Sequence, residues 1–471
     1  MSLMSSKKPM DGMSKWTWWR LLCAHALLAL LLVSGCAAVQ TQRTTAPAGS
    51  TNAAFVRAGE LARNDAALSG SMQQDNRAQI ERLLAGLDNA TLTREAAALP
   101  AGDPLYRFAG QALVKRGLPL PRPFDRGDWR FDARPPADAD GYRPPVKLAV
   151  LLPLSGGLSK AAVPVRDGLL AGYYGEGRRR PDIVFHDTAG TPGGAVAAYG
   201  RAVAEGADFV IGPLGRDEVS ALFRTQLTVP VLALNRGSVA PPAGSTSFSL
   251  APEDDGVVAA EFLLSRNLRR ALVLRDDSLE RAVTAFQEQF QRRGGTVGQI
   301  LEVAEKPGDM TAMLQAAARK PEGVEAIFLA VKTAQAIALA PQLAAVGLAG
   351  KPRVATSQLS SADGGTSDRA LDGIAFPSEA WDTRSISGLP SPETAAKILP
   401  SARGAAARLF AFGHDAWLIS AYLERLATRA DGNVQGATGT LRLDGFGNVV
   451  RTPAWSTFSG GVVVPLGNDA R

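Results

Sequence analysis

Short apolar runs alternate with helical stretches over much of the chain, and this alternation constrains the fold more than any other feature. The run Val146 to Leu152 (VKLAVLL) is continuously apolar, as is typical of a strand buried on both faces of a parallel sheet. A helical stretch, Val163 to Tyr174, comes next, and the strand-like run Asp182 to His186 follows it. Strands that alternate with helices predict βαβ units, and therefore parallel sheets with helices on both faces.

The alternation occurs in two consecutive series, which are separated by Pro252 to Asp255 (PEDD). The sequence therefore predicts an α/β domain over 146–466, with a first lobe at about 146–252, a second lobe at about 253–375 and a C-terminal return at 376–466. The later predicted strands are Phe209 to Ile211 and Pro230 to Leu234 in the first series, and Ala271 to Leu274, Thr296 to Leu301, Ala326 to Ala330 and Arg353 to Thr356 in the second.

The C-terminal return is predicted to contain one long helix, Arg408 to Leu426, followed by a hairpin and a last strand. These strands are predicted at Gly439 to Leu443, Val449 to Arg451 and near Gly461 to Pro465. The Pro- and Ser-rich segment 376–400 is predicted to be a long loop. Its Trp381 leaves two interpretations open, contact with a partner or disorder.

A short all-α segment, 53–116, is predicted ahead of the α/β domain. Large apolar residues recur there at the spacing of one helix face, at Ile80, Leu83, Leu84 and Leu87. The next segment, 117–145, holds seven prolines and is predicted to be a stiff, extended linker. Trp129 and Phe131 within it are predicted to pack on a domain surface.

The N-terminal residues are organised like an export signal. Lys15 and Arg20 precede a largely apolar stretch of 13 residues, Leu21 to Val33, which has the length of a signal-peptide core and is short for a membrane span. The stretch ends in Val33-Ser34-Gly35-Cys36, which resembles the lipobox of bacterial lipoproteins.

The lipobox resemblance implies a signal peptide at 1–35, lipid attachment at Cys36 and a flexible tether over 36–52. Ala37, in the position after the cysteine, implies export to the outer membrane. The alternative is a buried N-terminal helix with an incidental cysteine.

Charge and cysteine content argue against several classes of function. Loss of residues 1–35 would remove four cations and one anion, which lowers the formal net charge from +6 to +3. The densest basic run that remains, Arg178 to Arg180, is too short for a nucleic-acid surface. Cys23 would leave with the signal and Cys36 would carry lipid, so no disulfide is predicted. With His186 and His414 as its only remaining histidines, the chain predicts no metal site and no cofactor.

Motifs of covalent catalysis are not found in the mature region, and we predict a protein that is not an enzyme. Ser-x-x-Lys, in which the lysine activates the serine, occurs only at Ser5 to Lys8, ahead of the signal. His186 and His414 each precede an aspartate, but adjacent His and Asp lack an oriented nucleophile. His414 is predicted to be packed.

Strings spread in order over the α/β region resemble the penicillin-binding-protein activator lipoproteins. These strings are Val150 to Gly156 (VLLPLSG), Arg166 to Gly168 (RDG), Asp187-Thr188, Gly206 to Leu214 (GADFVIGPL), Pro230 to Arg236 (PVLALNR), Ser249 to Asp254 (SLAPED), Ala355 to Ser357, Leu371 to Ile374 (LDGI), Arg408 to Ala416 (RLFAFGHDA), Gly436 to Gly439 and Leu443-Asp444.

The resemblance implies a two-lobed type I periplasmic-binding-protein-like fold. It also implies an outer-membrane lipoprotein that stimulates a class A bifunctional penicillin-binding protein, the enzyme that polymerises and crosslinks peptidoglycan. One departure concerns length: larger relatives carry a long tetratricopeptide-like arm, whereas the segment 53–116 is short and has no clear 34-residue repeat.

A candidate cleft follows from the predicted strand ends, because ligands of parallel α/β sheets lie beyond the carboxyl ends of the strands. The residues at these ends are Ser155, Gly156, Asp187, Thr188, Gly212, Pro213, Asn235 and Arg236. They could line a site for a small polar or anionic ligand. Alternatively, they shape turns and cap helices, and Arg236 forms an ion pair inside the domain.

The leading hypothesis is a non-enzymatic activator of peptidoglycan synthesis. The runner-up is a lipid-anchored periplasmic binding protein for amino acids or another small polar ligand, which predicts a closing cleft. A purely structural envelope lipoprotein is the third possibility.

Overall fold

The computed structural model describes residues 50, 52–125, 127, 129–361 and 366–467. The predicted signal peptide, the lipid-attachment residue Cys36 and nearly all of the predicted tether lie outside the described residues. The part of the chain that is described forms fourteen α-helices and fifteen strands.

The helices are numbered here in chain order. They are α1 (Ala53–Asn64), α2 (Gly70–Ala85), α3 (Asn89–Ala98), α4 (Tyr106–Lys115), α5 (Ser159–Gly175), α6 (Pro192–Ala204), α7 (Arg216–Phe223), α8 (Pro252–Ser265), α9 (Glu280–Arg292), α10 (Thr311–Ala318), α11 (Thr333–Ala345), α12 (Ala380–Thr383), α13 (Pro392–Ile398) and α14 (Ala405–Thr428).

The strands are numbered in the same way. They are β1 (Lys147–Leu152), β2 (Asp182–Asp187), β3 (Phe209–Ile211), β4 (Val231–Ala233), β5 (Thr246–Phe248), β6 (Arg270–Arg275), β7 (Thr296–Glu302), β8 (Ala326–Ala330), β9 (Arg353–Ala355), β10 (Ile374–Ser378), β11 (Val434–Gln435), β12 (Thr440–Leu443), β13 (Asn448–Thr452), β14 (Ala454–Ser459) and β15 (Val462–Pro465).

Two sheets of the same design form the α/β region, which confirms the predicted fold class. The parallel part of the first sheet has the order β2-β1-β3-β4-β5, and that of the second has the equivalent order β7-β6-β8-β9-β10. The central strands β1 and β8 are almost completely buried, as their continuous apolar runs predict.

The C-terminal return supplies strands to both sheets. β13 pairs in parallel with β5 and forms the predicted hairpin with β12. Pro453 is the one residue between β13 and β14. Strand β14 belongs to the second sheet, where it pairs antiparallel with β10 and β15. The long helix α14, which covers the predicted helix at 408–426, packs against α5 of the first lobe.

Two glycines allow α14 and α5 to approach closely. A Cβ atom on Gly168 of α5 would overlap the carbonyl oxygen of Phe410, and one on Gly413 of α14 would overlap the carbonyl oxygen of Val165. Backbone therefore lies against backbone at this crossing, where glycine is the residue that fits.

The prediction of a long loop over 376–400 is wrong. The segment contains the end of β10 and the helices α12 and α13. Pro377 lies inside β10, where a proline usually argues against a strand, and this hid the strand from the sequence pattern. Strands β5 and β14 were also missed.

The helices α1–α4 form a module with an apolar core of its own, to which Ile80 and Leu84 contribute. Its buried Asp65 accepts hydrogen bonds from Asn76, Arg77 and Arg107, at 3.2 Å, 3.0 Å and 3.1 Å. Trp129 and Phe131 of the Pro-rich segment pack into the core of the first lobe, as predicted.

The helical module contacts both lobes. The ring of Phe446, in the turn between β12 and β13, packs edge-on against Phe108 with the centroids 5.1 Å apart. Glu81 forms an ion pair of 2.8 Å with Arg292, at the end of α9 in the second lobe. Across the described ranges, no helix combines the length and the apolar character that a membrane crossing needs.

Candidate functional site

The predicted cleft residues lie at the carboxyl ends of β1 to β4, and we call them the strand-end group. Asp187, the last residue of β2, accepts hydrogen bonds from the Ser155 hydroxyl at 2.6 Å and from the amides of Leu154 and Ala189 at 2.9 Å and 2.8 Å. These hydrogen bonds lower the pKa of Asp187, and the bond from the Ser155 hydroxyl has the largest effect. A Cβ atom on Gly156, whose φ is +79°, would lie 2.6 Å from the carbonyl oxygen of Ala189.

Thr188, Gly212 and Pro213 lie deeper at the same edge. Thr188 is fully buried. Gly212 has a φ of +102° and precedes Pro213 through a cis peptide bond. A side chain on Gly212 would overlap the carbonyl oxygen of Leu151, so this position shapes the backbone between β3 and α7.

Asn235 and Arg236 complete the strand-end group beyond β4. The Asn235 side-chain amide donates to the carbonyl oxygen of Leu214 at 2.9 Å, and its oxygen accepts from the Arg236 amide at 3.0 Å. The Arg236 guanidinium pairs with Asp254 at 3.0 Å. Because Asp254 is in α8, this ion pair joins the first lobe to the second.

The structure brings the strand-end group together at one edge of the first sheet. Its hydrogen bonds are mostly with the backbone of its own lobe. A role in binding a small ligand stays a prediction.

A second polar site, which the sequence analysis missed, is buried between the lobes. We call it the hinge cluster, and its members are Asp255, Ser357, Glu379, Arg408 and Arg451.

The Asp255 carboxylate is the centre of the hinge cluster. It accepts hydrogen bonds from the Ser357 hydroxyl at 2.5 Å and the Ser357 amide at 3.1 Å. The guanidinium groups of Arg408 and Arg451 lie 3.4 Å and 3.5 Å from its other oxygen. Arg408 also donates to the Ser357 hydroxyl.

Glu379 completes the charge balance of the hinge cluster. It lies 3.1 Å from Arg408 and 3.8 Å from Arg451. Burial raises the pKa of Glu379 to about 7, although both arginines oppose the shift.

Charge is sorted by lobe at this junction. The carboxylate of Asp255 is in α8 of the second lobe, and that of Glu379 directly follows β10 of the second sheet. Arg451 is in β13 of the first sheet, and Arg408 is in α14, which packs on the first lobe. The partly exposed ion pair of Arg236 with Asp254 is arranged in the same way, with its cation in the first lobe and its anion in the second. Every cation at this junction therefore comes from the side of the first lobe.

The hinge cluster could have been suspected from charged residues inside apolar elements. Arg408 begins the otherwise apolar run RLFAF, and Arg451 ends a hairpin strand that is buried at Val449. A buried charge is rarely found without a partner. The sequence does not say which partner, because the four charged members come from four separate elements.

The two histidines among the described residues, His186 and His414, are both buried. His414 is 2% exposed, as predicted, and its Nδ1 lies 3.1 Å from the adjacent Asp415. Asp415 accepts bonds from the amide of Ala437 at 2.6 Å and from the hydroxyl of Thr438 at 2.6 Å, so it holds the loop before β12. Within the described ranges, no three His, Cys, Asp or Glu side chains group as metal ligands.

Trp381 is a core residue, so neither interpretation proposed for it is correct. It is 2% exposed, its ring stacks on Phe410 with centroids 5.3 Å apart, and its ring N–H donates to the carbonyl oxygen of Pro390 at 2.8 Å. Proline and serine in the segment start and cap short helices here rather than mark disorder, as Ser391 and Pro392 do for α13.

Comparison with known proteins places this architecture in a family. The model of the family described as "LppC putative lipoprotein" matches residues 142–461. A relative from Photobacterium profundum, named penicillin-binding protein activator LpoA, is 25% identical over 355 residues, which cover 68% of this chain and 56% of that protein. The chain therefore spans a little over half the length of this curated relative.

Two solved structures share the fold. The C-domain of LpoA from Haemophilus influenzae, described as a regulator of PBP1A, is 21% identical with a TM-score of 0.59, and the match covers 68% of this chain and 100% of that one. A "putative branched-chain amino acid ABC transporter" from Chromobacterium violaceum is 29% identical with a TM-score of 0.54, and the match covers 66% of this chain and 100% of that one.

The family match extends over both sheets and the hinge cluster, and it agrees with the resemblance found in the sequence strings. The chain belongs to the LppC lipoprotein family, whose curated relatives are named penicillin-binding protein activators.

Proposed function

We propose that this protein is a non-enzymatic, lipid-anchored regulator at the periplasmic face of the outer membrane, which binds and activates a class A bifunctional penicillin-binding protein. The observation that carries the proposal is the family match over residues 142–461, which covers both lobes up to the last strand, β15. The names of the relatives supply the class of partner.

The hinge cluster supports a regulator over a closing receptor. A receptor that encloses its ligand needs lobes that rotate about the connecting segments. Here Arg408 and Arg451, on the side of the first lobe, are buried against Asp255 and Glu379 of the second. Separating such partners would leave buried charges without compensation, which favours a fixed arrangement of the lobes.

The anchor is proposed from sequence. Cleavage before Cys36 and acylation of this residue would attach the protein to one leaflet, and the segment 36–52 would separate the folded region from the membrane. Replacement of Cys36 by Ser should release the protein into the soluble periplasmic fraction, which membrane fractionation measures.

Activation is proposed to work by differential binding. If the synthase has a less active and a more active conformation, a partner that binds the active one more tightly shifts the population toward it. A tenfold activation requires a difference of only about 1.4 kcal/mol in binding free energy.

The test is glycan polymerisation and peptide crosslinking by each class A penicillin-binding protein of the same organism, with and without the purified protein. A dose-dependent increase with one synthase is expected. Protein that has been denatured by heat is the control and should stimulate none of the synthases. A folded sample that stimulates none of the synthases would contradict the proposal.

The second candidate is a binding protein for amino acids. The observation that favours it is the 29% identity to the Chromobacterium violaceum structure, which extends over 66% of this chain. It predicts that one amino acid binds with micromolar affinity or better and that the lobes close in small-angle scattering. Calorimetric titration of the amino acids distinguishes it from the activator.

A further inference from the structure

A cavity of about 410 Å³ lies where the helical module meets the second lobe. Three parts of the fold line it: the helices α2 and α4, the C-terminal end of α9, and Phe446 in the β12–β13 turn. The volume is in the range that accommodates a small organic ligand or a short piece of peptide.

The rim of this junction cavity is cationic. Lys115, Arg116, Arg292 and Arg293 line it, and Glu81 is its only lining carboxylate among the residues that the structure describes. Glu81 lies 2.8 Å from Arg292 and 3.5 Å from Lys115, so two cations share one carboxylate.

The cations of the rim are close enough to repel one another. Burial lowers the pKa of Arg116, and the neighbouring Arg293 lowers it further. Arg293 is itself paired with Glu261 at 3.0 Å. With Glu81, Glu261 and Asp88, which acts on Arg116, all counted, one positive charge remains in excess, and this excess favours an anionic ligand.

The inner wall of the cavity is apolar. It is formed by the rings of Phe108 and Phe446, with Ala85 and Ala112 beside them. Aromatic rings next to a cationic rim suit a ligand that carries both an apolar group and a negative charge.

One buried polar atom on the wall has no partner. The side-chain oxygen of Gln111, which lines the cavity, is buried and accepts no hydrogen bond from the residues that the structure describes. Buried acceptors are rarely left unsatisfied, because their lost hydration costs free energy. This oxygen is closed to solvent, so a turn of the Gln111 side chain would be needed to bring it into the cavity, where the N–H group of a ligand would satisfy it.

We propose that the junction cavity binds the carboxyl-terminal end of a peptide with an apolar last residue. Its carboxylate would lie between Lys115 and Arg292, an amide N–H would donate to Gln111, and the apolar side chain would contact Phe108 and Phe446. Such a peptide end would interact with the cationic rim, the apolar wall and the Gln111 oxygen. A phosphate ion would interact only with the cationic rim. The proposal is independent of the synthase proposed above.

The first test is calorimetric titration of the purified protein with N-acetyl-leucyl-leucine, with the same dipeptide as its C-terminal amide, and with inorganic phosphate. The free carboxylate should bind at least about tenfold more tightly than the amide, because the amide loses a charge-assisted contact. Equal binding of the two dipeptides, phosphate binding as tight as the peptide, or no binding would each overturn the proposal.

Variants then locate the site. Lys115→Gln and Gln111→Leu should each weaken binding about fivefold to tenfold. Glu81→Gln should tighten binding, because it removes the carboxylate that competes for Lys115 and Arg292. Weaker binding by Glu81→Gln would contradict the proposal, since that result means that Glu81 only supports the fold.

Lys397→Gln is the matched control, because Lys397 is an exposed lysine of α13 outside the cavity lining. It should bind the dipeptide like the unmodified protein. Thermal unfolding of all four variants separates loss of binding from loss of structure.

Discussion

The hinge cluster and the strand-end group both contain aspartate, serine and arginine side chains, but these side chains connect different parts of the molecule. Asp187 of the strand-end group is exposed and accepts hydrogen bonds from amides of its own lobe. Asp255 of the hinge cluster is 3% exposed and meets two arginines from the side of the other lobe. The first carboxylate orders a local loop, whereas the second joins lobes, and burial should make the second far more costly to disturb.

The largest effect is expected from Arg451→Met. This change leaves Asp255 and Glu379 buried with one cation fewer, so the free energy of unfolding should fall by about 3–5 kcal/mol. Denaturation in urea measures it. Arg429→Met, which changes an arginine that is 58% exposed, is the control and should have little effect. A loss below about 1 kcal/mol for Arg451→Met would remove the distinction between the two sites.

The next largest effect is a pH dependence of the free energy of unfolding, which arises from the titration of Glu379. The charged groups that act on it are Arg451, Arg408, Asp382 and Asp255. Its pKa is about 7 in the folded protein against an ordinary value of 4.5, because burial disfavours the charged form. Between these values the folded protein binds more protons than the unfolded chain, so the free energy of unfolding decreases as the pH rises through this window.

Glu379→Gln should abolish that part of the pH dependence. Relative to the variant, the unmodified protein should lose on the order of 3 kcal/mol between pH 4 and pH 8, as urea denaturation at a series of pH values would measure. Parallel curves for the two proteins would show that Glu379 does not titrate in this window.

A smaller effect is expected from Asp187→Ala. The change removes the acceptor of the Ser155 hydroxyl and of several loop amides, which remain able to bind water because the site is exposed. The free energy of unfolding should fall by about 1–2 kcal/mol. Ser155→Ala, which removes one of these bonds, is the matched control and should cost less. A loss as large as that of Arg451→Met would contradict the comparison.

The smallest effect is expected from Arg236→Gln, which breaks the partly exposed ion pair with Asp254. A surface pair contributes about 0.2–1 kcal/mol, and salt should reduce the difference from the unmodified protein. If the difference is large and independent of salt, this pair functions as a part of the hinge cluster.

Much of the fold could be predicted from sequence because parallel strands leave continuous apolar runs. The predicted runs at β1, β3 and β8 each coincide with a strand, and the predicted helix at 408–426 lies within α14. The local sequence pattern failed where a strand forms because of its neighbours in the sheet. Strand β10 contains a proline, which usually argues against a strand. Strand β5 is the short segment Thr-Ser-Phe, which becomes a strand because β4 and β13 flank it.

The strand-end group could be predicted from the sequence for the same reason, since polar residues that follow buried parallel strands must lie at one edge of the sheet. The hinge cluster could not be predicted, because its partners are 29 to 196 residues apart along the chain. No local signal pairs Arg451 with Asp255. Only the three-dimensional arrangement of the two sheets brings them into contact.

The passage of the chain from β13 to β14 through Pro453 affects the order in which the protein can be completed. Strand β13 adjoins the first sheet and β14 the second, so both sheets receive their last strands from residues 448–465. During synthesis, when the N-terminal part emerges first, the first sheet obtains its last strand only shortly before the second sheet does. Arg451 arrives in the same step, so Asp255 and Glu379 obtain one of their two counterions only at the end. Assembly of the lobes and their attachment to each other are therefore a single event, timed by the last part of the chain to emerge.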